Sequence, residues 1–204
     1  MHTPYISLSN RVLLRILPVT LSGPLGEFKT YALLNEASTV TLLDSSVAKM
    51  LGLRGVRDSL NLQWTNETTQ VDNHSERVSL VISGSGEENY ELQNVRTVNN
   101  LALPTQSVNG RRTQQSWTHL QQFEIPSLDS AQPTILLGQD NCHLIIAREI
   151  VEGPPNAPVL SRTKLGWVFH GNHSLVKDRM DSEFTFHTST SDDLLHPRER
   201  ILED

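Results

Sequence analysis

Cross-links are excluded first: Cys142 is the only cysteine in 204 residues, so no internal disulfide can form and the fold must rest on burial and hydrogen bonding. Basic residues are also in deficit. The 17 Lys and Arg face 23 Asp and Glu, giving a net charge of -6 and a pI near 5.7. A nucleic-acid surface needs clustered Lys and Arg to displace counterions from phosphate, so no direct nucleic-acid partner is expected. No apolar run is long enough to span a bilayer, and no N-terminal charged-then-apolar segment is present. Those absences predict no membrane partner and an intracellular, cytoplasmic setting, where the Asn-x-Ser/Thr triplets at Asn66, Asn73 and Asn172 carry no functional weight. Internal repeats and low-complexity tracts are missing too. With 37% apolar content, one sizeable core, or one domain plus tails, is expected.

What is present is mainly the alternation of strands. Val12 to Leu21 and Glu27 to Leu34 are β-prone runs joined by the turn cluster Ser22-Gly23-Pro24-Leu25-Gly26, which predicts a hairpin. Pro18 cannot donate to a ladder and so belongs at an edge or bulge. The second run stops at Asn35-Glu36-Ala37-Ser38, and Thr39 to Leu43 resumes the apolar pattern. Asp44 then reads as the cap of a short helix over Val47 to Leu51, with Gly52 as its stop. Leu60 to Trp64 and Arg77 to Ile82 alternate around the polar stretch Thr65 to His74, and Ser83-Gly84-Ser85-Gly86 turns the chain into Tyr90 to Val98. A phosphate cradle would need a helix after those glycines; a strand pattern follows instead.

Further along, Leu101-Ala-Leu-Pro104 reads as extended, Asn109 to Gln115 as a polar surface loop, and Trp117 to Ile125 leaves helix and strand both open. Thr134 to Leu137 is a buried-strand signature stopping at Gly138, and Gln139 to Ile146 reads as a helix. Glu152 to Pro158 breaks the chain before a last strand at Lys164 to Phe169. The chain thus divides into an N-terminal tether (1–11), which in a dimer could instead pair as an interface strand, a domain (12–171) and a polar linker or tail (172–204).

The run Tyr31-Ala-Leu-Leu-Asn-Glu-Ala-Ser-Thr-Val-Thr-Leu-Leu43 resembles the active-site loop of retropepsin-type aspartic peptidases, where an Asp-Ser/Thr-Gly motif caps such a strand. Together with Asn94-Val-Arg-Thr-Val98, Leu101-Ala-Leu-Pro104, Ile135-Leu-Leu-Gly-Gln-Asp-Asn141 and Pro158-Val-Leu-Ser-Arg-Thr-Lys-Leu-Gly-Trp-Val168, it resembles the aspartic peptidase domain of BEL/Pao-type retrotransposon Pol polyproteins, over about Leu13 to Gly171. The resemblance implies an all-β fold: a retropepsin-like closed β barrel with a flap hairpin and one or two short helices, acting as half of a homodimer on an extended polypeptide. Each half of such a dimer gives one Asp, and the two carboxylates share a proton because like charges so close cannot both ionise. The resemblance places Asn35 at the Asp position and Ala37 at the glycine position, with Ser38 completing the loop. An amide neither titrates nor takes a proton at working pH, and one acid–base group is typically worth about 10²–10⁴-fold in rate. The loop therefore implies a pseudoenzyme, with a peptide-binding or dimerisation module as the alternative. Conversion of Asn35 to Asp by deamidation, leaving an active peptidase, is a third reading. The flap is expected within Leu60 to Asn73, with the Ser83 to Asn89 turn as second choice. No cofactor or metal is implied.

Other candidates have plainer readings. Glu36 is expected to point away from the dyad. Cys142 and His143 are adjacent on a helix, about 100° apart, and read as packing residues. His170 and His173 have a metal-like separation, but a zinc site needs three or four converging ligands. Asp140 reads as a helix cap or brace, and Trp64, Trp117 and Trp167 as core.

Overall fold

The computed structural model describes residues 11–63, 69–86 and 88–173. Strand β1 (Arg11–Leu13) leads into the hairpin of β2 (Ile16–Gly23) and β3 (Gly26–Leu34). After the Asn35 loop come β4 (Leu42–Asp44), α1 (Ser45–Met50), β5 (Val56–Arg57) and a second hairpin, β6 (Leu60–Gln63) with β7 (Thr69–Asp72). Then follow β8 (Glu76–Ser83), β9 (Asn89–Val98), β10 (Gln106–Val108), α2 (Gly110–Ser116) and a 3₁₀ turn at Thr118–Leu120. The described chain ends with β11 (Leu128–Ala131), β12 (Ile135–Leu137), a 3₁₀ turn at Gln139–Asn141, α3 (Cys142–Ile145), β13 (Glu149–Val151), β14 (Val159–Thr163) and β15 (Gly166–His173).

The first hairpin forms as its turn chemistry predicts. Pro24 and Leu25 link β2 to β3, and the register runs from Gly23 opposite Gly26 to Ile16 opposite Leu33. Gly26 sits at φ +128°, where a Cβ would be strained. Pro18 is exposed, opposite Tyr31 and outside the Thr20–Ser22 segment where β2 also meets β8, so no second ladder asks for its missing N–H.

Six strands, in the order β2-β3-β12-β4-β9-β8, close into a barrel because β8 pairs with β2 as well as with β9. The central insertion is β12, parallel to β3 and antiparallel to β4. Strand β4 is in turn parallel to β9. A strand with neighbours on both edges and cover on both faces has no polar side to present, which is why Ile135, Leu136 and Leu137 are an unbroken apolar run, each at most 1% exposed.

Strand alternation sorts the barrel's side chains into two cores. Leu17, Val19, Leu21, Ala32, Leu34, Leu43, Ile135 and Leu137 point into the barrel and pack with Val47, Leu51, Ile82 and Leu92. Their sequence neighbours Ile16, Leu33, Leu42 and Leu136 point outward into a second cluster. That outer cluster is completed by Leu60 and Leu62 of the β6–β7 hairpin, Val108 and Leu128 of the β10–β11 pair, and Leu160 and Phe169 of the sheet β1-β15-β14-β13.

Several sequence expectations need correction. Asn109 to Gln115 is not a surface loop but the helix α2: the Asn109 side chain caps it by accepting the Arg112 N–H at 2.9 Å, and Thr113 is buried. With α1 and α3 this makes three short α-helices among the described residues, where one or two are expected. Leu101 to Pro104 joins no ladder; the Ala102 and Leu103 N–H groups donate two residues back, to Asn100 and Leu101. The open choice at Trp117 to Ile125 resolves to the 3₁₀ turn followed by an irregular segment. The tether expected over residues 1–11 yields its last residue to a strand. Arg11 to Leu13 of β1 pairs with Gly171 to His173 of β15, which carries the sheet to residues 11 and 173, just outside the bounds 12–171. The tether up to residue 10, the tail from residue 174, Trp64 and the loop Thr65 to Thr68 lie outside the described residues. No described helix is long and apolar enough to cross a membrane.

The β8–β9 turn is pinned against the β14–β15 turn, with the Ser85 N–H donating to the Leu165 carbonyl at 3.1 Å. A Cβ on Gly84 would lie 1.8 Å from that carbonyl oxygen, whereas one on Gly86 would meet nothing within 4 Å. Gly84→Ala should therefore lower unfolding free energy by about 1–3 kcal/mol, the usual cost of overpacking. Gly86→Ala, two residues away, should leave the urea midpoint essentially where it is.

Candidate functional site

The loop from Asn35 to Thr41 is held by the turn that leaves β12. Asn35 donates its N–H to the Leu137 carbonyl at 2.9 Å, extending the parallel β3–β12 pairing by one bond. Its side-chain Oδ1 accepts the Ala37 N–H at 3.0 Å, an Asx turn that folds the loop back on itself. Ser38 is fully buried; its hydroxyl donates to the Val40 carbonyl at 2.7 Å, and its own carbonyl accepts the Gln139 N–H at 2.8 Å. The Gln139 side-chain amide reaches back to the Glu36 carbonyl at 2.9 Å. Gly138 lies at the crossing, where a Cβ would come within 2.5 Å of the Val40 carbonyl oxygen.

Thr41 locks the crossing. Its hydroxyl donates to one Asp140 carboxylate oxygen at 2.7 Å and accepts from the Gly138 N–H at 3.2 Å and the Asn141 side-chain amide at 2.9 Å. Its N–H donates to the other Asp140 oxygen at 2.9 Å. Asp140 is thus a brace between loops and caps neither the 3₁₀ turn nor α3. Asp44, by contrast, is the cap the sequence predicts, accepting the Ser46 N–H at 2.9 Å, and it also takes the Leu101 N–H at 2.9 Å. Burial pushes its carboxyl up, but bonds from the Ser46 hydroxyl, the Ser46 N–H and the Leu101 N–H outweigh it and leave its pKa below the ordinary value.

Of the three residues singled out by sequence, Asn35 heads the loop, Ala37 is exposed, and Ser38 is structural. Ala37 does not take a left-handed φ, so its methyl strains nothing in its own backbone. Within residues 35–38 the only carboxylate is Glu36, and it is exposed and ion-paired with Arg15. The Arg15 guanidinium also donates to the Ile145 carbonyl at 2.7 Å, tying the link between β1 and β2 to the end of α3. A cavity of about 570 Å³ exists elsewhere, between Leu17, Pro18, Arg111, Glu124, Leu165 and Trp167 among others; no residue of the loop lines it.

Cys142 and His143 are exposed, so the packing expected of them is done by Leu144 and Ile145. His170 and His173 do not converge. His170 Nε2 is 2.7 Å from the Ser161 hydroxyl and His173 Nε2 is 3.0 Å from the Thr113 hydroxyl. Among the described residues no group of three or more His, Cys, Asp or Glu could hold a metal. The Ser161–His170 contact has the form of a nucleophile–base pair, but Ser161 is 1% exposed and out of substrate's reach. Trp117 and Trp167 pack against the outer core. No family model, curated protein or solved structure matches this chain.

Sequence reasoning missed Thr41, although a threonine between Val40 and Leu42 in a run destined for burial is a visible flag. Thr41→Val keeps the shape and removes the hydroxyl, leaving two buried donors, the Gly138 N–H and the Asn141 side-chain amide, short of a partner, while the exposed Asp140 carboxylate can turn to water. Unfolding free energy should drop by about 1–3 kcal/mol, the cost of leaving buried polar groups unsatisfied. Urea melts of Thr41→Ser, which keeps the hydroxyl, provide the contrast.

Burial lowers the pKa of both His170 and His173; the Arg15 charge adds to this at His170 and the Arg112 charge at His173. In the unfolded chain both rings take protons near the ordinary value of about 6.5, while the folded chain resists until lower pH. The unfolded state then binds more protons, so stability is full above that pH and falls as pH drops through it. Equilibrium unfolding from pH 7.5 to 5 should show this loss, with a shallower slope in His173→Gln.

Proposed function

We propose that this chain is a retropepsin-like domain of the BEL/Pao Pol type whose hydrolytic chemistry is lost. The observation that carries the reading is the loop itself: a strand inside a closed barrel ends at Asn35, whose side-chain amide oxygen accepts the Ala37 N–H where the retropepsin motif has a carboxylate. The nearest carboxylate in the loop, Glu36, is engaged by Arg15 and is the wrong group to replace it. Hydrolysis in such folds needs two carboxylates sharing one proton across a two-fold axis. Two Asn35 residues would offer hydrogen bonds to a polypeptide but no proton transfer.

The same geometry supports a second reading, a module that holds extended polypeptide by strand addition without cutting it. It is favoured by the β6–β7 hairpin, which forms a two-stranded sheet of its own with Val71 exposed. The Ser83 to Asn89 turn is a poorer flap, since Ser85 is bonded to Leu165. Pairing of two copies would use the loop face and the outer edge of β1, where Val12 is exposed.

Repair of the loop tests the proposal. The unmodified chain should leave an unstructured peptide uncut at pH 5. Asn35→Asp alone should give weak cleavage at most, because the Ala37 methyl, harmless to its own backbone, would stand toward a partner or substrate. Asn35→Asp with Ala37→Gly should cleave with a bell-shaped pH profile and be blocked by a statine-type transition-state mimic. Cleavage by the unmodified chain with that same profile would sink the pseudoenzyme reading. A folded double variant that sediments as a dimer and stays inert would favour the binding module.

A further inference from the structure

One buried arginine ties together the point where the chain leaves the barrel for the β6–β7 hairpin and the point where it returns. The Asp58 N–H donates to the Ser75 carbonyl at 2.9 Å, closing the hairpin at its root. Arg96, on β9, reaches this root with a side chain only 6% exposed. One guanidinium nitrogen donates to the Asp58 carbonyl at 2.5 Å, a second lies 3.0 Å from the Asp58 carboxylate, and Nε is 3.4 Å from the Ser75 hydroxyl. The Asp58 carboxylate also takes Arg77 of β8. Arg96 is itself fixed, its N–H donating to the Thr41 carbonyl at 3.0 Å, so it stands on the strand next to the end of the candidate loop.

A guanidinium so buried is costly to leave without partners, and its planar fork suits the spread of acceptors it meets. The neighbouring positions of β9 bury Val95 and Val98 into apolar clusters, so a charge at 96 is not what the barrel wall alone calls for. Strands β6 and β7 are held to the barrel by the burial of Leu60 and Leu62 in the outer cluster, by the Asn99 N–H donating to the Asp72 carboxylate at 3.2 Å, and at their root by Asp58 and Ser75, both of which Arg96 holds. Its bonds to this pair run to the Asp58 carbonyl and carboxylate and to the Ser75 hydroxyl, so it grips the hairpin at its root. We propose that Arg96 is a positioning residue, holding the β6–β7 hairpin to the barrel as one unit through Asp58 and Ser75. Its bearing on a held polypeptide rests on the reading given above; the tether itself does not.

Amide hydrogen exchange on the full chain, with no peptide added, reads the tether independently of binding or cleavage. Residues 60–63 and 69–72 report the hairpin, and 78–82 report the barrel. Arg96→Met keeps the apolar stem, and Asp58→Asn neutralises the more exposed partner. Both should raise hairpin exchange by about tenfold to a hundredfold, as expected for lost charge-assisted hydrogen bonds, with residues 78–82 unchanged. Arg96→Lys, which keeps the charge but not the fork, should fall between wild type and Arg96→Met. Adding Asp58→Asn to Arg96→Met should cost less than the two single effects combined, as for a coupled pair. An equal rise in hairpin and barrel would make Arg96 a general brace and overturn the proposal, as would no rise at all. Should Arg96→Met fail to fold, Asp58→Asn decides the same question.

Discussion

The Thr41 hydroxyl is the constraint on which the rest of the structure depends. A hydroxyl has one proton to give and two lone pairs to offer, and here all three are used, toward Asp140, Gly138 and Asn141. Those bonds join the segment leading into β4 to the turn leaving β12. Unless the two stay crossed, β12 cannot lie parallel to β3 and antiparallel to β4 at once, and the barrel has no centre. The absence of a side chain at Gly138 allows the crossing to be tight enough for the hydroxyl to reach. Polar groups buried in a low-dielectric site are strong when all are satisfied and costly when one is not.

From that crossing the two-sided packing follows. Once β12 is fixed in register, Ile135 opposite Ala32 and Leu136 opposite Leu33, each strand's alternation is committed, and a one-residue slip would exchange the contents of the two cores. The outer face is as apolar as the inner one at Ile16, Leu33, Leu42 and Leu136, so the barrel needs cover. The β6–β7 hairpin, the β10–β11 pair and the β1-β15-β14-β13 sheet supply it. Strand β15 therefore spends both edges within the chain and β1 one, which leaves only the outer edge of β1 among the terminal strands for pairing with a second copy.

The parts legible in the sequence are those that local chemistry decides. The Gly23-Pro24-Leu25-Gly26 turn, the Asp44 cap with Gly52 behind it, and the Ile135-Leu-Leu-Gly138 strand each carry their signal within a few residues. What could not be read depends on partners far along the chain. Helix α2 looks like a polar loop because its one buried polar residue, Thr113, is satisfied by His173, 60 positions away. Arg96 looks like a surface charge in an alternating strand until Asp58 is placed against it. For Cys142 and His143, helix geometry gives the angle between neighbours but not which face turns inward, and both face solvent. For the candidate loop, the position of Asn35 at a strand end was legible; the Asx turn, the Arg15–Glu36 pair and the burial of Ser38 were not.

The same bonding sets the shape of the candidate loop without calling on a charged side chain at its head. Its backbone is fixed by Asn35 N–H to Leu137, Gln139 N–H to Ser38, and the Thr41 crossing, none of which involves a charge on residue 35. The Asx turn needs only a side-chain oxygen two residues before the Ala37 N–H, and an amide supplies that as well as a carboxylate does. None of these bonds selects for Asp at this position. The backbone at residue 37 tolerates alanine for a similar reason, since it does not take a conformation that only glycine adopts. A requirement for Asp and Gly in this loop would have to come from what is bound against it, since the bonds that shape the loop are served by Asn35 and Ala37.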